Sequence, residues 1–269
     1  FFVLKMASEA CCGAGPPVEA DYKERGTYEK LRARNSEFRA YISGSVKPSK
    51  RVNCIILVYD IFGWNKKNRN VFKVADYLAD NGFFVVMPDF YRGEPWSLDR
   101  FPPKEAKDKK DFGEWWGKKC DLKTTDADIK QAVIPFIRRF SKGVKMASIG
   151  LLGFCWGGLM CFGCAGLDKA FTYSAIGTIH GARLTPEMAE KIRCPAMVLP
   201  SKDDPGYEEI KKVLDKKKFG KHCVYHNFKG EIHGFCAARG DWKNKDTKSA
   251  VDKALNMTIK FFGKMEDYE

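Results

Sequence analysis

The sequence predicts an α/β protein with a mostly parallel central sheet and helices on both faces. Short apolar runs of strand length alternate with longer amphipathic stretches over almost the whole chain. The 269 residues are 44% hydrophobic and 30% charged, which is enough to bury a sizeable core. The longest useful apolar run, residues 54–59, is far shorter than the roughly 18 residues that span a bilayer. We therefore expect no membrane association.

The elements follow from hydrophobic periodicity. Pro135 lies inside a helical pattern and is expected to kink or split that helix, because proline lacks an N–H donor. The proline- and aromatic-rich stretch 91–122 is interpreted as an irregular excursion that could cap a site. Strands are predicted at residues 38–43, 53–60, 83–88, 147–153, 172–179, 196–201 and 223–228, with helices at 68–79, 125–140, 156–167, 207–217 and 248–262.

The chain, 1–269, is interpreted as a single domain with an N-terminal extension over about residues 1–37 and a core over 38–262. Residues 1–5 precede Met6 and are taken as a cloning remnant or upstream read-through, too short for the apolar core of a secretory signal. Ten cysteines fit no compact zinc or disulfide framework by spacing. We expect reduced thiols, no bound metal and a cytoplasmic location.

The formal net charge of +13 raises the question of a nucleic-acid partner. Lysines are interleaved with acids throughout, as in residues 104–111, and no basic block is long. A solvated surface is the better interpretation, and we expect no nucleic acid to bind.

The strongest local signal is the run GFCWGG at residues 153–158, where an apolar strand leads through Cys155 into a helix pattern. A sharp strand-to-helix turn holds its central residue in a strained conformation, and side chains two positions before and after it would collide. Gly153 and Gly157 satisfy that requirement. The following helix directs its positive end at the sulfur, so Cys155 is the candidate nucleophile.

A cysteine nucleophile needs a base, because a free thiol is only about 3% ionised at neutral pH. Catalytic loops lie at the carboxyl ends of strands, in the order nucleophile, acid, histidine. His233 follows the last predicted strand and fits that order. His180 ends a strand before any acidic loop, so it could line the site without being the base. His222 and His226 lie before and within the last strand and do not fit.

The acid is expected in the polar turn after residues 196–201. Asp203 is preferred because it comes first after the strand, whereas Asp204 could cap the next helix. The oxyanion donors are expected to be the backbone N–H groups of Trp156 and Ile61. Asp60 could hold the resting thiol or simply cap its own turn.

Four blocks in the same order resemble the dienelactone hydrolases, over roughly residues 38–262. They are DIFG at 60–63, PDFYR at 88–92, GFCWGG at 153–158 and HGF at 233–235. The resemblance implies an α/β-hydrolase fold, a Cys155–Asp203–His233 triad, no cofactor, and hydrolysis of a lactone or small ester by a monomer or homodimer. Bacterial members bind the substrate carboxylate with arginines, for which Arg92 and Arg239 are the nearest residues here.

Some eukaryotic relatives resemble the chain at CCGAGPP, residues 11–17, and at AARGD, residues 237–241. Plant members of that branch carry a glucanase label, but glycoside hydrolysis needs two suitably spaced carboxylates, which a lone Asp60 does not provide. The alternative to an enzyme is a catalytically silent protein of the same fold that binds or scaffolds.

Overall fold

The computed structural model describes residues 9–33, 36–46, 51–140, 146–205 and 207–268, so the interpretation of residues 1–5 lies outside it. The strands are β1 (Thr27–Ala33), β2 (Ser36–Ser43), β3 (Val52–Val58), β4 (Phe84–Pro88), β5 (Met146–Phe154), β6 (Ala175–Ile179), β7 (Ala196–Leu199) and β8 (Val224–Tyr225). They form one eight-stranded sheet in the order β1-β2-β4-β3-β5-β6-β7-β8. The β1–β2 and β2–β4 pairs are antiparallel and the others parallel, which confirms the predicted fold class.

The helices cover both faces of this sheet. A Cβ on Gly177 of β6 would lie 3.0 Å from the ring of Phe262, whereas the next residue, Thr178, lies against Gly158. Successive strand residues point to opposite faces, so the helices that carry Phe262 and Gly158 lie on opposite sides. The helices are α1 (Glu9–Gly13), α2 (Asn70–Asp80), α3 (Ala106–Lys119), α4 (Leu122–Asp128), α5 (Ile134–Phe140), α6 (Trp156–Leu167), α7 (Pro186–Lys191), α8 (Glu208–Asp215) and α9 (Lys245–Phe262).

Pro135 does not split its helix. Helices α4 and α5 are joined by the π-helical turn Ile129–Val133, which ends two residues before the proline. A π turn shifts the hydrogen-bond pairing at the point where the proline supplies no N–H. The predicted irregularity is therefore present as a change of helical pitch rather than a break.

The stretch 91–122 is not irregular throughout, which corrects the sequence-based interpretation. It contains the 14-residue helix α3, whose buried side is aromatic. The rings of Phe112 and Trp115 stack, and Trp115 lies edge-on to Tyr91 at 5.0 Å between centroids. The apolar stripe is short and surrounded by lysine, aspartate and glycine, so helical periodicity was weak there.

The N-terminal segment, residues 9–20, is docked on the loop that follows His233. The Val18 N–H donates to the Ala238 carbonyl at 2.9 Å. The Asn68 side-chain amide donates to the carbonyls of Val18 and Ala238 at 2.7 and 2.8 Å, and so joins the N-terminal segment to this loop. The part of the extension predicted before residue 38 also contributes the edge strand β1 to the sheet.

We predict that Asn68→Ala destabilises the fold by about 1–3 kcal/mol, because two carbonyls lose a buried donor. Chemical denaturation measures the change. Asn81→Ala removes an exposed amide that bonds within its own helix end, to the Tyr77 carbonyl, and should change stability by under about 0.5 kcal/mol. Equal effects of the two substitutions would show that Asn68 does not hold the segment.

Candidate active site

Cys155 sits at a strained bend between β5 and α6. Its backbone has φ 52° and ψ −114°, and the helix begins at the next residue. A non-glycine residue with positive φ costs free energy and persists only where the surrounding packing holds it. The bend expected from the sequence is present, and it places the thiol at the N-terminal, positive end of α6.

The glycines around Cys155 allow neighbouring backbone segments to approach closely. A Cβ on Gly153 would lie 2.2 Å from the Gly157 backbone, and one on Gly157 would lie 2.0 Å from the Val58 carbonyl oxygen. No side chain fits at these distances. The Gly158 and Ala182 N–H groups each donate to the Cys155 carbonyl at 3.0 Å, which fixes the bend.

The histidine at the site is His233, and its acidic partner is Asp204. His233 Nδ1 lies 2.6 Å from Asp204 Oδ1, with both side chains buried. Asp204 Oδ2 accepts hydrogen bonds from the Ser201 N–H and hydroxyl, each at 2.8 Å. Asp203 is exposed, so the preference for Asp203 is wrong about which neighbour contacts the imidazole. The turn after β7 directs its second aspartate inward and its first into solvent.

The contact between His233 and Asp204 shifts the pKa values of both side chains. Burial favours neutral His233, but hydrogen bonds with Asp204 and Cys11 outweigh it and raise the His233 pKa to about 9. Burial likewise favours the neutral Asp204 carboxyl, yet the hydrogen bond from His233 lowers its pKa below the ordinary value. The pair is therefore an aspartate–imidazolium ion pair at neutral pH.

A residue that the sequence analysis did not place at the site also contacts it. Cys11 of α1 lies with its Sγ 3.9 Å from the Cys155 Sγ. The two sulfur atoms and a ring nitrogen of His233 all lie within 4.8 Å of one another. Because Nδ1 faces Asp204, the ring presents Nε2 to the sulfurs. Cys155 is 5% exposed and Cys11 1% exposed, so α1 covers the nucleophile position.

The pKa values of the two thiols are shifted in opposite directions. Hydrogen bonding with Cys155 and His233 lowers the Cys11 pKa, against the effect of burial. Hydrogen bonding with Cys11, together with burial, raises the Cys155 pKa above the ordinary thiol value. With α1 in place, Cys155 is therefore held as the neutral thiol.

The proposed oxyanion donors lie at the same edge of the sheet as Cys155. Val58 of β3 pairs with Gly153 of β5, and Ile61 and Trp156 each follow this pair by three residues. Asp60 caps its turn, because Oδ1 accepts the Phe62 N–H at 2.9 Å. Burial raises the Asp60 pKa to about 6, against the lowering effect of that hydrogen bond.

His180 lies beside the Asp204–His233 pair. Its ring centroid is 5.1 Å from that of His233, and neither ring nitrogen has a hydrogen-bond partner among the described residues. Burial lowers the His180 pKa well below its ordinary value, so the ring is neutral. The structure places it edge-on to the His233 imidazole, where it packs as an aromatic group.

Neither arginine suggested as a carboxylate ligand is exposed beside Cys155. Arg92 makes a bidentate ion pair with Asp128 at 2.9 Å and lines a separate groove with three lysines of the α3–α4 region. Arg239 does reach the site, but it donates to the Cys11 and Gly15 carbonyls at 2.7 and 2.8 Å. In this arrangement Arg239 holds the N-terminal segment.

Two thiols and an imidazole form a donor set of the type that zinc prefers. Among the described residues, Cys11, Cys155 and His233 are the cluster compact enough to act as metal ligands. The same side chains suffice for acyl transfer without a metal.

The described residues contain no helix long and apolar enough to cross a bilayer.

A mostly parallel sheet, a cysteine at the strand-to-helix bend and a buried aspartate–histidine pair define a protein of the α/β-hydrolase fold. The model of the dienelactone hydrolase family matches residues 38–266. The chain belongs to this family, as the four sequence blocks suggested.

Individual relatives are distant. The chain is 27% identical to a carboxymethylenebutenolidase homolog of Rattus norvegicus, over 96% of this chain and 99% of the relative. An endo-1,3;1,4-beta-D-glucanase of Zea mays is 29% identical over 62% of this chain and 46% of its own length. A putative dienelactone hydrolase structure from Klebsiella pneumoniae superposes with a TM-score of 0.68 at 15% identity, covering 89% of this chain and 99% of that one.

We predict that the His233 imidazole titrates at a pH of about 9 and that Asp204→Asn lowers this pKa by about 1–3 units, because the buried carboxylate charge is removed. Because the folded-state pKa is raised, the protonated ring stabilises the fold at neutral pH and loses that contribution as pH rises through 9. Histidine NMR follows the titration. Asp203→Asn is the control, and an equal shift in it would contradict the assigned pair.

Proposed function

We propose that the protein hydrolyses a lactone or a small carboxylic ester, with Cys155 as nucleophile, His233 as base and Asp204 as the group that orients the imidazole. The observation that carries the proposal is the convergence of a thiol at a strained bend with a buried histidine–aspartate pair. Family membership supports the same class of reaction. The proposed acid is Asp204 in place of Asp203, because Asp204 contacts the ring.

The first half-reaction forms a thioester. When a substrate carbonyl replaces the Cys11 side chain beside Cys155, Cys11 takes back the proton that His233 held and withdraws as a neutral thiol. The neutral His233 Nε2 then accepts the Cys155 proton, and the Cys155 thiolate attacks the carbonyl carbon. The Ile61 and Trp156 N–H groups donate to the resulting oxyanion. The imidazolium returns its proton to the leaving oxygen, and the acyl group remains on the sulfur.

The second half-reaction releases the acid. His233 accepts a proton from water, the hydroxide attacks the thioester carbonyl, and the sulfur leaves as thiolate and is reprotonated. Asp204 holds one tautomer throughout, because its Oδ1 accepts the Nδ1–H while its Oδ2 is fixed by Ser201. Because its pKa is raised to about 6, a fraction of Asp60 is protonated near neutral pH. We propose that Asp60 interacts with the resting Cys155 thiol in addition to capping its turn.

Substitution of the nucleophile tests the proposal. Cys155→Ala should lower kcat/KM for activated esters and lactones by about 10⁴-fold or more, since no other group replaces the thiolate. Cys161→Ala is the matched control. This thiol is buried in α6, the helix that begins directly after Cys155, and its loss should change kcat/KM by under about threefold.

The acid is tested in the same assay. Asp204→Asn should lower kcat/KM by about 10²–10⁴-fold, because the imidazole loses its orienting acceptor, while Asp203→Asn should stay within about twofold. Folding of each variant is checked by circular dichroism. If wild type and Cys155→Ala are equally inactive on the whole substrate panel, the interpretation as a catalytically silent binding protein replaces the proposal. Hydrolysis of β-glucan that survives Cys155→Ala would favour glycosidase chemistry instead.

A further inference from the structure

Two thiols are in contact at the centre of the site. The Cys11 and Cys155 sulfur atoms are 3.9 Å apart, about van der Waals contact, and a disulfide needs a separation of about 2.05 Å. Both side chains are buried, and a ring nitrogen of His233 lies within 4.8 Å of both sulfurs, where it can hold the proton of either thiol. The contact therefore contains two reactants and a base.

Cys11 is held at this position by named interactions. Buried Arg239 donates to the Cys11 carbonyl through Nη2 and to the Gly15 carbonyl through Nε. Further along the segment, the Val18 N–H and Asn68 bind it to the Ala238 carbonyl. These contacts fix the backbone at Cys11 and in the segment that follows α1, and the Cys11 sulfur is directed at Cys155 rather than at solvent.

The next residue provides a contrast. Cys12 has the same sequence neighbourhood, but it is half-buried and does not belong to the compact group of Cys11, Cys155 and His233. The adjacent pair therefore contains one thiol at the site and one matched thiol outside it.

From this geometry we infer that Cys11 and Cys155 form a reversible oxidative modification site, at which a peroxide converts the two thiols to a disulfide that closes the site. The regulatory role rests on the proposed function, whereas the disulfide itself does not. Hydrogen peroxide or an organic hydroperoxide is the oxidant.

The chemistry balances in two steps. A thiolate of the pair, whose proton lies on His233, attacks the peroxide O–O bond and becomes a sulfenic acid. The departing hydroxide or alkoxide takes the proton from His233 and leaves as water or an alcohol. The other thiol then attacks the sulfenic sulfur, the S–O bond breaks, and a second water leaves as the S–S bond forms. Two thiols are oxidised by two electrons in total, and one peroxide is reduced.

The disulfide has two consequences for the site. It removes the nucleophile and ties α1 across the position where a substrate carbonyl must bind. It also competes with further oxidation of a sulfenic acid to sulfinic acid, which thiols do not reverse. Reduction by a dithiol restores both thiols, so Cys11 makes the oxidation of the site recoverable.

The test treats full-length wild type, Cys11→Ser and Cys12→Ser with hydrogen peroxide, with a chelator present because the same side chains suit zinc. Intact mass and non-reducing peptide mapping detect the disulfide; ester hydrolysis is measured before oxidation, after oxidation and after dithiothreitol. Wild type and Cys12→Ser should form a Cys11–Cys155 peptide, lose at least tenfold in activity and recover most of it. Cys11→Ser should form no such peptide and recover little.

Oxidation of wild type without a Cys11–Cys155 peptide would overturn the inference, and so would equal recovery of Cys11→Ser and wild type. The peptide map separates this result from failure of the proposed function. If the disulfide forms in a protein that hydrolyses no ester, the modification site stands and the function fails. If hydrolysis depends on Cys155 but no disulfide forms, the reverse holds.

Discussion

The site depends on one constraint, the positive φ of the backbone at Cys155. The chain must leave β5 and enter α6 within one residue, and that geometry brings α6 against the neighbouring strands. Side chains at 153, 157 or 158 would collide with backbone or with Thr178 at 2.0–2.2 Å. Glycine at these positions therefore lets the sheet and helix packing hold the strain. The same bend positions both the sulfur and the Trp156 N–H, so the proposed nucleophile and one proposed oxyanion donor are placed together.

The second half of the site is electrostatic. In a water-excluded interior, an aspartate and an imidazolium stabilise each other only if the remaining hydrogen-bonding capacity of both is satisfied. Ser201 provides this for Asp204, and the thiols lie at the other side of His233. The N-terminal segment is part of this balance, because Cys11 contacts the histidine that the proposed nucleophile would also need. A resting site in which α1 covers Cys155 follows from the same contacts that build it.

The site was predictable where the chemistry is local in sequence. The glycine-flanked Cys155 and the position of His233 after the last strand are readable from spacing alone. The choice between Asp203 and Asp204 depends on the rotation of one turn, which no pattern reports. Strand β1 has a mostly exposed, charged sequence at the sheet edge, so it lacks an apolar run. The position of Cys11 depends on docking against residues more than two hundred positions away, such as Arg239.

The central claim is that acyl transfer passes through the sulfur of Cys155, and the most direct measurement is to trap the acyl-enzyme. The protein is mixed with an activated acetate ester, quenched in acid within milliseconds and digested with pepsin for peptide mass analysis. The account predicts an acetyl thioester on the peptide that contains Cys155, at an occupancy that rises before steady-state turnover. Turnover with no adduct on Cys155, or with the acetyl group on Cys11 instead, would contradict it.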